Sequence, residues 1–142
     1  MKTILTLRLP EDQSFLPTVR RMAKPILDSC HVASEDIGVI EFILVELGPN
    51  AVRHAHSAAD YFKVCLEVHH DQVTVTVKDY GQGFDRSAVP PLGALRKDID
   101  GQNRYSGFGL HLVGMLADII EFHQMYPTGT TVVVEKRLQG TG

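Results

Sequence analysis

The sequence has no excess of positive charge, no paired cysteines, no long apolar run and no internal repeat, and each absence narrows what the chain can be. Lysine and arginine total 14 against 17 aspartates and glutamates, a net charge of -3, which removes the electrostatic basis for sequence-independent nucleic-acid binding. Proteins or small molecules are the expected partners. Cys30 and Cys65 lie far apart with no C-x-x-C pair, and they are expected to be buried structural thiols in a reducing compartment. No apolar stretch approaches the ~20 residues that span a bilayer. The opening Met1-Lys2-Thr3-Ile4-Leu5-Thr6-Leu7 is too short and too alternating for a signal peptide. A cytoplasmic protein with no membrane partner is expected. What is present is a chain of 142 residues, 44% apolar and 22% charged, enough for one sizeable core and one domain spanning the whole chain.

In chain order, Ile4, Leu5, Leu7 and Leu9 with Thr6 and Arg8 between them predict a half-buried strand over 3–9. Glu11 and Asp12 suit a helix start, and Phe15, Leu16, Val19, Met22, Ala23, Ile26 and Leu27 recur at helical spacing to about Ser29. Pro17 fits the opening turn, whereas Pro25 should kink this helix or end it near Lys24. Ser34, as N-cap, and Glu35-Asp36 start a second helix with an apolar stripe of Ile37, Ile40, Ile43, Leu44, Leu47 and Ala51. Glu46, Asn50, Arg53 and His54 lie on another face, and Gly48-Pro49 between them should kink the axis. Tyr61–His69 and Gln72–Lys78 alternate as an antiparallel hairpin, with His69 and His70 beside the turn and facing solvent. Periodicity is lost between Asp85 and Ser106, a long lid-like loop. Leu110, Leu112, Val113, Leu116 and Ala117 mark a helix, followed by strands over 119–125 and 130–138. The sum is an α/β two-layer sandwich: a mixed, mostly antiparallel sheet with helices on one face.

A carboxylate, an amide and an imidazole at a spacing of four, Glu46, Asn50 and His54, would line one wall of a helix. Two glycine pairs, Gly81-x-Gly83 and Gly107-x-Gly109, flank the lid. Glycine lets backbone N–H groups approach a ligand, and a helix starting at Gly109 would aim its positive end at an anion such as phosphate. Either pair alone is commonly just a turn. No G-x-x-x-x-G-K-[ST] loop and no G-x-G-x-x-G after a first strand occur, so P-loop and Rossmann readings fail. His54 and His56 diverge on a helix and are not a metal pair.

Taken together, Glu46-x-x-x-Asn50-Ala51-x-x-His54-Ala55, Asp79-x-Gly81-x-Gly83-Phe84 and Gly107-x-Gly109-Leu110-x-Leu112 resemble the N, G1 and G2 boxes of the gyrase/chaperone/histidine-kinase/MutL ATPase superfamily. The size of the chain and the Gly129-Thr130 pair before its last strand look most like the bacterial anti-sigma-factor serine kinases. The resemblance implies a Bergerat-type fold that binds ATP with Mg²⁺. It makes Glu46 the general base and Asn50 the Mg²⁺ ligand. Asp79, supported by Thr130, would accept from the adenine amino group, with Gly81 and Gly83 leaving room for base and sugar. Gly107 and Gly109, with Leu110 of the same box, would meet the phosphates, and Arg104 could reach them from the lid. Arg53 is equally suited to phosphate contact or to a solvated face, and His54 to catalysis or to packing.

The implied activity is phosphorylation of an anti-sigma-factor antagonist on serine, coupled to sequestration of a sigma factor, by a homodimer that makes no direct nucleic-acid contact. Gly48-Pro49 departs from the helix-compatible residues usual in these kinases. It keeps open a second reading, a nucleotide-binding regulatory module that sequesters a partner without phosphate transfer. A free-standing histidine-kinase catalytic domain is the third.

Overall fold

The computed structural model describes residues 2–55, 61–80, 112–124 and 129–139, with the backbone alone for 49–55 and 124. Strand β1 (Thr3–Pro10) leads through a single 3-10 turn (Gln13–Phe15) into helix α1 (Leu16–Ser29) and helix α2 (Ser34–Ala55), followed by β2 (Tyr61–Val68), β3 (Gln72–Asp79), β4 (Ile119–Gln124) and β5 (Thr130–Arg137). Residues 112–116 are helical. The sheet order is β1-β2-β3-β5-β4. Every described pairing is antiparallel, so the expected sandwich holds with a sheet more uniform than the mixed one predicted.

Period-two alternation decides which face of the sheet is covered. Phe62, Val64, Leu66 and Val68 on β2 and Val73, Val75 and Val77 on β3 are buried, while the residues between them are half-buried. The helices supply the other half of the core with Val19, Ala23 and Leu27 from α1 and Ile37, Ile40, Ile43, Leu44 and Leu47 from α2. α2 packs on β2 and β3, and α1 on α2, β1 and β2. Burying each of the large aliphatic side chains contributes roughly 1.5–3 kcal/mol, which sets the scale for the local violations below.

The first violation is Pro25. Of the two expected outcomes, an end near Lys24 does not occur, and the helix runs on to Ser29. Pro25 sits on the exposed side, where the carbonyl it leaves unpaired can meet water. The turn beyond it carries Leu27 into the core, a gain comparable to the ~3 kcal/mol that an interior proline costs. The chain leaves α1 through a Schellman motif: His31 N–H donates to the Asp28 carbonyl (3.0 Å) and Val32 N–H to the Leu27 carbonyl (3.1 Å), with His31 at φ 61° in the conformation that favours glycine.

The start of α1 also differs from expectation. Asp12 caps the 3-10 turn instead of the helix, its Oδ1 accepting from the Ser14 N–H at 2.9 Å. Pro17 does occupy the opening turn of α1. Ser34 is the first helical residue of α2, not its N-cap, because the Ile37 N–H already donates to the Ala33 carbonyl (2.9 Å). Asp36, in that first turn, is only 1% exposed, and its Oδ2 accepts from the Gln139 N–H at 2.8 Å. A carboxylate near the start of α2 thereby clasps the chain just after β5.

The cysteines and the turn histidines correct two further expectations. Cys30 and Cys65 are free but half-buried, because Cys65 alternates onto the open face of the sheet and Cys30 lies at the end of α1. His70 is exposed as expected, whereas His69 is half-buried with its Nε2 2.7 Å from Glu67 Oε1.

Candidate nucleotide site

α2 carries the first group of expected site residues. It is helical without a break from Ser34 to Ala55, so Glu46 and Asn50 share one helix about 6 Å apart along its axis, with His54 a further turn on. Glu46 is half-buried. Gly48 is buried, and a Cβ there would come within 2.7 Å of Leu16 Cδ2. The glycine that looked like a helix breaker is the point where α2 lets the first turn of α1 approach.

The second group lies at the end of the sheet. Asp79 is the last residue of β3 and Thr130 the first of β5, and they are register partners. Both lie on the helix-covered face, in line with Val77 and Val132. Asp79 is 5% and Thr130 3% exposed. The Thr130 hydroxyl is buried with no hydrogen-bond partner among the described residues. An unpaired buried hydroxyl costs about 1–3 kcal/mol, so a fold that retains one beside a buried carboxylate presents a polar wall ready for a ligand. A carboxylate accepts from an exocyclic amino group, and a hydroxyl can donate or accept beside it. That donor and acceptor set fits the edge of adenine.

Gly81, Gly83, Arg104, Gly107, Gly109 and Leu110 lie outside the described residues, as does the expected lid. The structure brings Asp79 and Thr130 together and places Glu46, Asn50 and His54 on the helix that packs against β3. A separate groove of about 750 Å³ runs between α1 and α2, lined by Leu16, Pro17, Arg20, Lys24, Glu41 and Val45. None of the expected nucleotide residues lines it. Among the described residues no cluster of metal-ligating side chains occurs, and no helix is long and apolar enough to cross a membrane.

The described residues thus form a five-stranded antiparallel sheet with helices on one face, closed at one end by a buried Asp-Thr pair. The chain belongs to the histidine kinase-like ATPase domain family, which matches it over residues 9–136. It is similar to the serine-protein kinase RsbW of Staphylococcus epidermidis, with 24% identity over 95% of this chain and 87% of that protein. It is also similar to the anti-sigma F factor of Clostridium beijerinckii, with 26% identity over 72% of each. Among solved structures, the RsbU and RsbW domains of Rv1364c from Mycobacterium tuberculosis share the fold. There the TM-score is 0.70 at 19% identity, covering 96% of this chain and 32% of that one.

Proposed function

We propose that this protein is an ATP- and Mg²⁺-dependent protein serine/threonine kinase that phosphorylates an anti-sigma-factor antagonist and acts as an anti-sigma factor. The observation that carries the reading is the buried Asp79-Thr130 pair, set in a histidine kinase-like ATPase domain whose relatives include a serine-protein kinase and an anti-sigma factor. Asp79 accepts from the adenine amino group with Thr130 beside it, and Gly81 and Gly83 leave room for base and sugar. Asn50 offers its side-chain oxygen to Mg²⁺, which supplies charge neutralisation on the phosphates. Gly107, Gly109 and Leu110 border the phosphates, and Arg104 approaches them. Glu46 takes the proton of the attacking serine hydroxyl as its oxygen bonds to the γ-phosphorus and the bond to ADP breaks. His54, one turn beyond Asn50 on the same helix, completes the set toward the nucleotide. A cytoplasmic homodimer that regulates transcription through a sigma factor, without touching nucleic acid itself, completes the proposal.

The test is incubation with Mg²⁺-ATP and the cognate antagonist, read as acid-stable phosphoprotein. Glu46→Ala, checked for native folding, is expected to lower the rate at least ~10²-fold. A folded variant as fast as the parent removes Glu46 from the base role. Gly48-Pro49 sustains one further reading, a module that uses ATP as a conformational ligand only. Nucleotide-strengthened partner binding with no phosphate transfer would favour it.

A further inference from the structure

The face of the sheet away from the helices carries a row of cations that the nucleotide site does not use. In register across all five strands stand Arg8, Lys63, Lys78, Thr131 and His123. Arg8 is exposed and Lys63 and Lys78 are half-buried. None of these three makes an ion pair among the described residues. His123 at the far edge lies 3.7 Å from Glu121, so the unpaired charge is concentrated on β1, β2 and β3. Two tyrosines prop it up. The Arg8 guanidinium stacks 3.6 Å from the Tyr61 ring centroid, the Lys78 ammonium lies 5.3 Å from that of Tyr80, and the two rings are 4.9 Å apart. Stacking of this kind holds long cations in place without neutralising them.

We propose that this row is a docking site for an acidic, extended segment of a protein partner. Strands lie about 4.8 Å apart, so Arg8, Lys63 and Lys78 span about 10 Å, between the spacing of two carboxylates at alternate positions of an extended peptide, about 7 Å, and that of three, about 13 Å. The same geometry disfavours nucleic acid. Tight phosphate-backbone binding recruits on the order of 6–10 phosphates. Beyond the three cations the same face carries Glu135 and Glu121, which repel a continuing polyanion. The tyrosine rings are already engaged by cations and by each other, not open for base stacking. Lys78 directly precedes Asp79 and Thr131 directly follows Thr130, so the segment docks on the back of the strand ends whose inner face carries the wall proposed for the base. This site stands independently of the kinase reading.

The probe is a short fluorescein-labelled peptide of alternating glutamate and threonine, titrated with the full chain by anisotropy. The parent should bind it, with affinity falling as salt is raised. Lys63→Glu or Lys78→Glu should each weaken binding about tenfold or more. Lys24→Glu on α1, outside the row, should leave it unchanged. ATP affinity, measured by calorimetry on the same variants, separates loss of this site from loss of the fold or of the nucleotide site. Absence of binding by the parent, or equal binding by a folded Lys63→Glu/Lys78→Glu double variant, overturns the proposal. So does tighter capture of a single-stranded RNA or an anionic vesicle by the same residues. A sedimentation profile in which charge reversal splits a dimer would mean that a second copy of the chain covers the row, and it too would overturn the proposal.

Discussion

Asp79 and Thr130 stand opposite each other across the β3 and β5 pair, a buried carboxylate beside a buried hydroxyl that no described residue satisfies. Nothing in the packing of Val77 and Val132 next to them calls for polar groups at that end of the sheet.

Replacing Thr130 with valine should therefore separate stability from ligand binding. Val fills the same space without a hydroxyl to desolvate, so the nucleotide-free protein should gain about 1 kcal/mol, read from urea unfolding. ATP affinity should fall about 2- to 10-fold, the worth of one ordinary hydrogen bond, read by calorimetry. A variant that loses stability instead would mean that the hydroxyl is satisfied within the protein.

Gly48 and Leu16 form a testable steric pair. An alanine at Gly48 gains up to ~1 kcal/mol of helix propensity, but its Cβ meets Leu16 Cδ2 at 2.7 Å. Since that atom is the end of a side chain, the clash can be relieved at modest expense. Gly48→Ala should be more favourable in a Leu16→Ala background than in the parent. A double-mutant cycle should return a coupling of about 0.5–3 kcal/mol. Additivity would show that the approach is not tight.

His31 closes α1 with a left-handed backbone, φ 61°. His31→Gly should raise stability by about 1 kcal/mol by removing the strain of a Cβ in that conformation. Thermal unfolding of both proteins checks it, and an unchanged midpoint would show that the His31 side chain compensates.

Asp12 gives the acid limb a defined sign. The Ser14 backbone N–H, and next its side chain, hold the Asp12 carboxyl below its ordinary 3.8. A depressed folded-state value means stability that is present above 3.8 and is lost as pH falls through the folded value. The stability difference between parent and Asp12→Ala should therefore shrink as pH drops below that range, measured by urea midpoints across an acid series. A difference independent of pH would assign the cap to geometry alone.

The alternation of Val64, Leu66 and Val68 against Val73, Val75 and Val77 makes the central hairpin legible in the sequence, and the apolar stripe from Ile37 to Leu47 makes legible the helix that carries Glu46, Asn50 and His54. Local rules failed where tertiary contacts outweighed them. Helix rules for Pro25 concern only its own turn, whereas Leu27 beyond it answers to the core. Gly48 weakens a helix by propensity alone, although its meaning lies in Leu16, which is distant in sequence. The cation row was hidden for a related reason. Alternation places Lys63 and Lys78 on the open face, but only the long-range registers of β1 with β2 and β2 with β3 bring Arg8 beside them.

The strand order has a consequence for when the protein becomes competent during synthesis. β2 and β3 are joined by a short turn and can zip as soon as both have left the ribosome. The neighbour that β3 needs on its other side is β5, the last of the described strands. Until it docks, β3 is an open edge, and Asp79 has no Thr130 beside it. Nascent chains truncated before Thr130 should accordingly expose a sheet edge prone to pairing with other chains. Because loop closure must precede the contacts that reward it, the Asp79-Thr130 wall is among the last features to assemble.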